Sequence, residues 1–378
     1  MEKKHQKHAK LARPNYGEFH RSEWAIIGAT CGRIQELSAK LITALEMHYQ
    51  LAYVDADHAA GDEAEQMPVA GSGMVYTDKI NYHQYNFKGE LNTFHRRPLY
   101  DKVDGVLVNG NHFRAKRQIV VLDPKKAESL SRKLDRLTDV ALILTTETQS
   151  QTYDFLAAHL GDHKPVMMPL GDINGIIQWL RAQLTADRAP LYGLVLAGGK
   201  SQRMGQDKGL IEYHGLPQRE FLADQLQGVC DEVFYSIRPD QDADLNGPVI
   251  KDSFTGLGPF GAIVSAFREY PNAAWLVVAC DLPLLDKAGL QHLAQKRNTS
   301  KLATAYHNPA TGWPDPLVTI WEPRAYTVLL QFLTQGYSCP RKVLINSDIE
   351  VINAENSQIL LNANSPEERA EVEQILGA

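Results

Sequence analysis

Two adjacent glycines, two spaced cations and one acid carry the chemistry that this chain could do. Gly198 and Gly199 end the apolar run 191–197, and Arg203 and Lys208 follow at short intervals. An apolar strand that stops at a glycine pair lets Leu196, Ala197 and the turn bring backbone amides close to a ligand. Without a Cβ, such glycines can take positive φ values that aim consecutive N–H groups at one anion. Arg203 offers a planar fork for two oxygens, and Lys208 a compact ammonium for one. Together they describe a loop that approaches an anion and binds phosphate. A surface turn with solvated charges is the alternative.

A phosphate-binding loop can share a metal with an acid, and Asp281 is placed to hold one. The residues from Trp275 to Cys280 are all apolar, and Asp281-Leu282-Pro283 stands at their carboxyl end. In an α/β sheet that edge is where ligands gather, and an acid there can hold Mg²⁺ against phosphate oxygens. A helix N-cap is the competing role. Asp252 follows the short apolar pair Val249-Ile250, where an acid can cap a turn. Asp315 ends a loop spanning 307–315, and Asn362 and Asn364 are two asparagines without a structural reason of their own. Asparagine donates and accepts without adding charge, which suits a site crowded with phosphates. Ser365-Pro366-Glu367-Glu368, by contrast, has the composition of a helix start.

The elements that must position these groups alternate between strand and helix patterns. Strands are expected at 191–197, 209–213, 232–237, 249–250, 275–280, 302–306 and 316–320, with helices at 219–227, 326–333 and after Pro259. This is the order of a doubly wound sheet. The amino-terminal half alternates likewise, with strands at 24–27, 51–57, 105–110, 140–144 and 165–170 and helices at 37–45 and 175–184. Between 59 and 100 the pattern weakens to irregular loops around one short strand at 74–76. Gly28-Ala29-Thr30-Cys31-Gly32-Arg33-Ile34 sits where a P-loop would, but Ile34 has no hydroxyl for magnesium and Arg33 replaces the lysine. The domains expected are a basic tail at 1–23, a first domain at 24–184, a linker at 185–190 and a second domain at 191–378.

With 378 residues the chain is long enough for two cores, and a net charge of -6 argues against a general nucleic-acid binder. Its four cysteines are scattered without a Cys-x-x-Cys pair, which fits reduced thiols in a cytoplasm. No run of about 18 apolar residues occurs, so no membrane span is expected. The basic amino terminus lacks the apolar core of a secretory signal. His5 and His8 there are a weak metal pair.

Leu196-Ala-Gly-Gly-Lys-Ser-Gln-Arg-Met-Gly-Gln-Asp-Lys208 resembles the signature of molybdenum cofactor guanylyltransferases. Cys280-Asp281-Leu282-Pro283 resembles the family's metal-binding Cys-Asp-x-Pro, Asp252-Ser253 its nucleotide-side Asp-Ser, and residues 362–367 its Asn-x-Asn-Ser-Pro-Glu. Asp315 fills the family's position before Pro-Leu, and the resemblance implies that Asp315, Asn362 and Asn364 bind the second substrate. The segment 104–121 resembles the molybdopterin-guanine dinucleotide biosynthesis adaptor, with Asn109 where that adaptor carries an acid. The resemblance implies an α/β fold of two Rossmann-like three-layer domains: a degenerate P-loop NTPase-like domain, then a nucleotide-diphospho-sugar-transferase-like nucleotidyltransferase domain. It implies GTP and (molybdenum-bearing) molybdopterin as substrates, Mg²⁺ as cofactor, Arg203, Lys208 and Asp281 as catalytic, and molybdate-insertion proteins and apo-molybdoenzymes as partners. The strand end Ser236-Ile237-Arg238 departs from the family by lacking an asparagine used for the nucleotide. Cytidylyl transfer to the same pterin, transfer to a sugar phosphate, and a non-catalytic cofactor carrier are the rival readings.

Overall fold

A computed structural model describes residues 10–57, 67–198, 208–241 and 245–377. The chain divides into two compact units, one of Tyr16–Asp187 and one of Arg188–Ala378 together with Met1–Asn15.

In the first unit six parallel strands lie in the order β2-β5-β1-β6-β7-β8. They are β1 (Glu23–Ile27), β2 (Leu51–Val54), β5 (Gly105–Asn109), β6 (Arg117–Val121), β7 (Val140–Thr145) and β8 (Val166–Pro169). Side chains alternate across a strand, so Trp24 and Ile26 of β1 face one layer while Ala25 and Ile27 face the other. The first layer is made by α1 (Cys31–Leu45) and α5 (Ile173–Ala186), which bury Ile34, Leu37, Leu41, Ile176 and Leu180. On the other side lie α2 (Thr93–Tyr100), α3 (Ala127–Ser131) and α4 (Asp154–Leu160), whose Tyr100, Leu130 and Leu156 pack against that face. Outside the sheet, β3 (Met74–Asp78) and β4 (His83–Phe87) form an antiparallel hairpin.

Three sequence expectations change here. The region from 67 to 100 holds a hairpin and a helix rather than loops around one strand. Residues 16–22 are no free tail: Phe19, His20 and Ser22 are buried, and the fully buried Glu23 accepts the amides of Glu18, Phe19, His20 and Lys116 at 2.7–2.9 Å. Thr185 and Ala186 extend α5, so the connection is shorter than 185–190. His5 and His8 lie outside the described residues.

The second unit has seven strands in the order β11-β10-β9-β12-β14-β13-β15. They are β9 (Leu191–Leu196), β10 (Glu232–Ile237), β11 (Val249–Lys251), β12 (Ala274–Ala279), β13 (Ala303–Asn308), β14 (Trp313–Trp321) and β15 (Glu350–Ile352). β9 to β12 run parallel, and β14 enters antiparallel between β12 and β13. Every residue of β12 is buried, as a strand covered on both faces requires. Helices α6 (Gln218–Leu226) and α8 (Lys287–Gln295) cover one face, and α7 (Pro259–Glu269) and α9 (Ala325–Thr334) the other. Two further helices, α10 (Pro340–Ile345) and α11 (Pro366–Leu376), complete the unit. The strand expected at 209–213 is absent: Lys208–Leu210 is a 3₁₀ turn, and only Glu212 makes an isolated bridge, to Pro217.

Candidate active site

Register in the second sheet brings the chemistry together. β9 and β12 are parallel neighbours with Leu196 opposite Ala279. Gly198 and Asp281 each stand two residues beyond that shared rung, so the acid lies across the strand edge from the glycine turn. Cys280, between them, donates its thiol to the Leu196 carbonyl at 3.4 Å and is buried. This edge is also a switch point: from β9 the chain winds outward to β10 and β11, then crosses to β12 on the other side.

Lys208 Nζ lies 3.9 Å from Asp281 Oδ2 and donates to Asn364 Oδ1. The amide of Ala363 donates to the Asp281 carbonyl at 2.9 Å. Asp281, Lys208 and Asn364 thus meet although 73 and 83 residues separate them along the chain (281 − 208; 364 − 281). Burial raises the Asp281 carboxyl above its ordinary range, Lys208 opposes that, and the charges of Asp315 and Glu368 add to it. Among the described residues Asp281 Oδ1 is buried with no hydrogen-bond partner. An ionisable oxygen in that condition suits a divalent cation. Among the described residues no group of three His, Cys, Asp or Glu side chains could hold one. Magnesium at nucleotide sites is usually held by one or two carboxylates together with phosphate oxygens and water.

A cleft of about 760 Å³ opens beside this pair, with Ala197, Gly198, Asp252, Phe254 and Pro259 in its wall. Gly198 is constrained by space, not by handedness. It is absent from the positive-φ glycines, and a Cβ there would stand 3.0 Å from the Arg238 amide and 3.2 Å from Ile237 Cα. That corrects the expectation of a positive φ at this residue. Gly199 and Arg203 lie outside the described residues.

Asp252 follows β11, its amide bonded to the Ile237 carbonyl at 2.9 Å. The Ser236 hydroxyl donates to its Oδ1 at 2.7 Å. Burial nevertheless raises its pKa, more than Ser236 and Arg238 lower it. In the unfolded chain the carboxyl has its ordinary value, so between the two values folding takes up a proton and stability falls as pH rises. Asp252→Asn is therefore expected to melt higher than the native chain at neutral pH, with the difference closing as pH drops into the ordinary carboxylate range. Scanning calorimetry across pH checks this, and a pH-independent difference would overturn it.

The structure separates Asp315 from the expected loop. It lies in β14, nearly buried, with Oδ2 receiving Asn308 and Oδ1 receiving the Leu317 amide, both at 2.9 Å. Its carboxylate is engaged in holding the β13–β14 turn. Asn362 is half-buried, two residues before Asn364. Two residues not anticipated from the sequence support the turn instead: Arg238 Nη1 donates to the Gly198 carbonyl at 2.8 Å and Gln241 Nε2 to that of Ala197 at 3.1 Å. These bonds reach backbone carbonyls, which leave no mark in the residue types.

In the first unit the turn before α1 is occupied by the chain's own groups. Gly28 has φ +90°, and a Cβ there would strike the Val121 carbonyl at 2.3 Å. Ile34 is buried, Arg33 turns to Asp123 at 3.4 Å, and Asn111 Nδ2 donates to the Ala29 carbonyl at 2.9 Å. Asn109 donates to Asp55 Oδ1 at 2.9 Å. Although burial pushes the Asp55 carboxyl upward, bonds from Tyr53, Asn109 and the Ala56 amide hold it below its ordinary range.

A mostly parallel sheet with Gly198, Lys208 and Asp281 at one edge is the frame of a nucleotidyltransferase, and residues 193–350 match the MobA-like NTP transferase domain. Over 179 residues the chain is 31% identical to a probable molybdenum cofactor guanylyltransferase of Carboxydothermus hydrogenoformans, covering 46% of this chain and 89% of that one. The chain belongs to the molybdenum cofactor guanylyltransferase family. It is also 34% identical over 200 residues to the molybdenum cofactor biosynthesis bifunctional protein of Synechocystis sp., spanning 52% of this chain but only 58% of that relative's length. Among solved structures, molybdopterin-guanine dinucleotide biosynthesis protein A of Archaeoglobus fulgidus aligns with a TM-score of 0.43 and 20% identity, over 49% of this chain and 98% of its own. Among the described residues no helix is long and apolar enough to cross a membrane.

Proposed function

We propose that the second unit transfers GMP from GTP to the phosphate of (molybdenum-bearing) molybdopterin, giving the guanine dinucleotide cofactor and pyrophosphate. The observation that carries this reading is the 3.9 Å approach of Lys208 to Asp281, whose Oδ1 lacks a partner, at the mouth of the cleft. Family membership supports the choice of substrates.

An oxygen of the acceptor phosphate attacks the α-phosphorus as the bond to pyrophosphate breaks on the opposite side. That nucleophile is already ionised, so the site needs no general base. Its task is to hold two anions in line and to offset their charge, which are the large terms in phosphoryl and nucleotidyl transfer. Lys208 supplies a fixed cation at the triphosphate. Arg203 and the amides at Gly198 and Gly199 are assigned to the same phosphates. Asp281 would hold Mg²⁺, which when bound neutralises charge on the phosphate oxygens and the leaving group. The narrow, largely apolar wall around Ala262, Phe254 and Pro259 suits a flat base and its ribose.

Pyrophosphate release in the presence of molybdopterin, compared among GTP, CTP, ATP and UTP, tests the assignment. GTP is expected to be preferred by at least about tenfold, since a site that hydrogen-bonds one base leaves polar groups unpaired with another. Preference for CTP would overturn it. For the first unit we propose a scaffold or partner-binding role without GTP hydrolysis. Its turn is filled by Asn111, and the residues that would serve magnesium and the terminal phosphates are Ile34 and Arg33.

A further inference from the structure

We infer that Glu368 is a positioning residue of the transfer site, acting through Asn364 on Lys208; the inference rests on the guanylyl-transfer reading. Ser365 and Glu368 form a capping box at the start of α11, with the Glu368 amide donating to Ser365 Oγ at 3.2 Å and Glu368 Oε2 receiving the Ser365 amide at 3.1 Å. A capping box needs nothing more than those two bonds. Here the same carboxylate oxygen receives a second and shorter bond, 2.6 Å, from the amide of Asn364, which precedes the cap.

That extra bond falls on the residue whose side chain holds the catalytic lysine, since Lys208 Nζ donates to Asn364 Oδ1. The next residue back, Ala363, donates its amide to the Asp281 carbonyl at 2.9 Å. Residues 363, 364 and 368 therefore clip the lysine, from the 3₁₀ turn at 208–210, and the metal-side acid, from beyond the end of β12, into one arrangement. The chemistry of the clip suits its place. Lysine has a flexible four-carbon stem, so its ammonium must be held to stay near one point. A neutral amide oxygen holds it without cancelling the charge that phosphate needs. The charge of Glu368 is itself spent on backbone amides, in reach of the Asp281 field.

The experiment uses the full chain and five variants: E368Q, E368A, S365A, N364A and N364A/E368A. Calorimetric affinity for Mg·GTP, steady-state transfer kinetics and melting temperature are measured for each. E368A is expected to weaken Mg·GTP binding about tenfold, the size of a lost hydrogen bond to a charged group, and E368Q less. S365A should lower melting while leaving Mg·GTP affinity within about twofold of the native chain. Because Glu368 works through Asn364, N364A/E368A should bind no worse than N364A. A purely structural cap predicts the opposite: E368A and S365A matched in melting and affinity, or independent losses that multiply in the double variant. Either result overturns the inference. A native chain that binds Mg·GTP but transfers nothing to molybdopterin sinks the transfer reading alone, because the binding arm still reads Glu368.

Discussion

Asp281→Asn is expected to lower guanylyl transfer by about 10³-fold while leaving the fold intact. Removing one preorganised electrostatic group at a site of developing charge costs on the order of 10²–10³ in rate, and this acid has no substitute nearby. Of the two other acids whose charge it feels, Asp315 has both oxygens occupied by Asn308 and the Leu317 amide, and Glu368 receives the amides of Asn364 and Ser365. Stability should move the other way. Burial disfavours the ionised Asp281 in the native state, so a neutral isostere removes a cost that is present at pH above the ordinary carboxylate range. A variant that melts at or above the native temperature yet releases almost no pyrophosphate is the outcome expected. Transfer within threefold of the native rate would remove Asp281 from the mechanism.

Glu23→Ala should have the largest effect on stability, and it should be confined to the first unit. The side chain is wholly buried and receives four backbone amides, three of them from the segment 18–20 that precedes β1. Gly17 approaches so closely that a Cβ on it would lie 1.9 Å from Glu23 Oε1. Truncation leaves those donors buried without an acceptor, a loss of about 3–5 kcal/mol by analogy with broken buried ionic contacts. For a domain of this size that corresponds to roughly 10 °C in melting temperature. Calorimetry should show the transition of Tyr16–Asp187 moving down while transfer activity at 25 °C is kept. A shift below about 3 °C would mean that water replaces the missing acceptor.

Much of this was legible in the residue types. The runs ending at Gly198 and Asp281 are apolar because β9 and β12 are covered on both faces, and such strands announce themselves. Pro259 and Ser365 marked helix starts by their own chemistry and stand at those starts. The β3–β4 hairpin was half missed because its alternation runs outward: Met74, Tyr76, Tyr85 and Phe87 face solvent, so no buried stripe signals a second strand. Residues 209–213 look like a strand by composition, but Lys208 is drawn to Asp281 and Asn364, and the chain there closes into a 3₁₀ turn. Asp315 was misplaced for a similar reason. Its apolar neighbours fixed a strand, but nothing in the spacing told that β14 begins at Trp313 and takes the acid inside. The support that Arg238, Gln241 and Glu368 give runs through main-chain atoms, which no residue pattern records.

The pairing of Leu196 with Ala279 has a consequence for how this protein can vary. Gly198 and Asp281 are each reached by counting the same two steps from one rung, so a one-residue deletion in either strand would slide one past the other and turn the strand's side chains to the opposite face. Exchanges among apolar residues in β9 and β12 leave that count untouched. Tolerance along these strands should thus divide sharply, with broad freedom in side-chain identity and almost none in length.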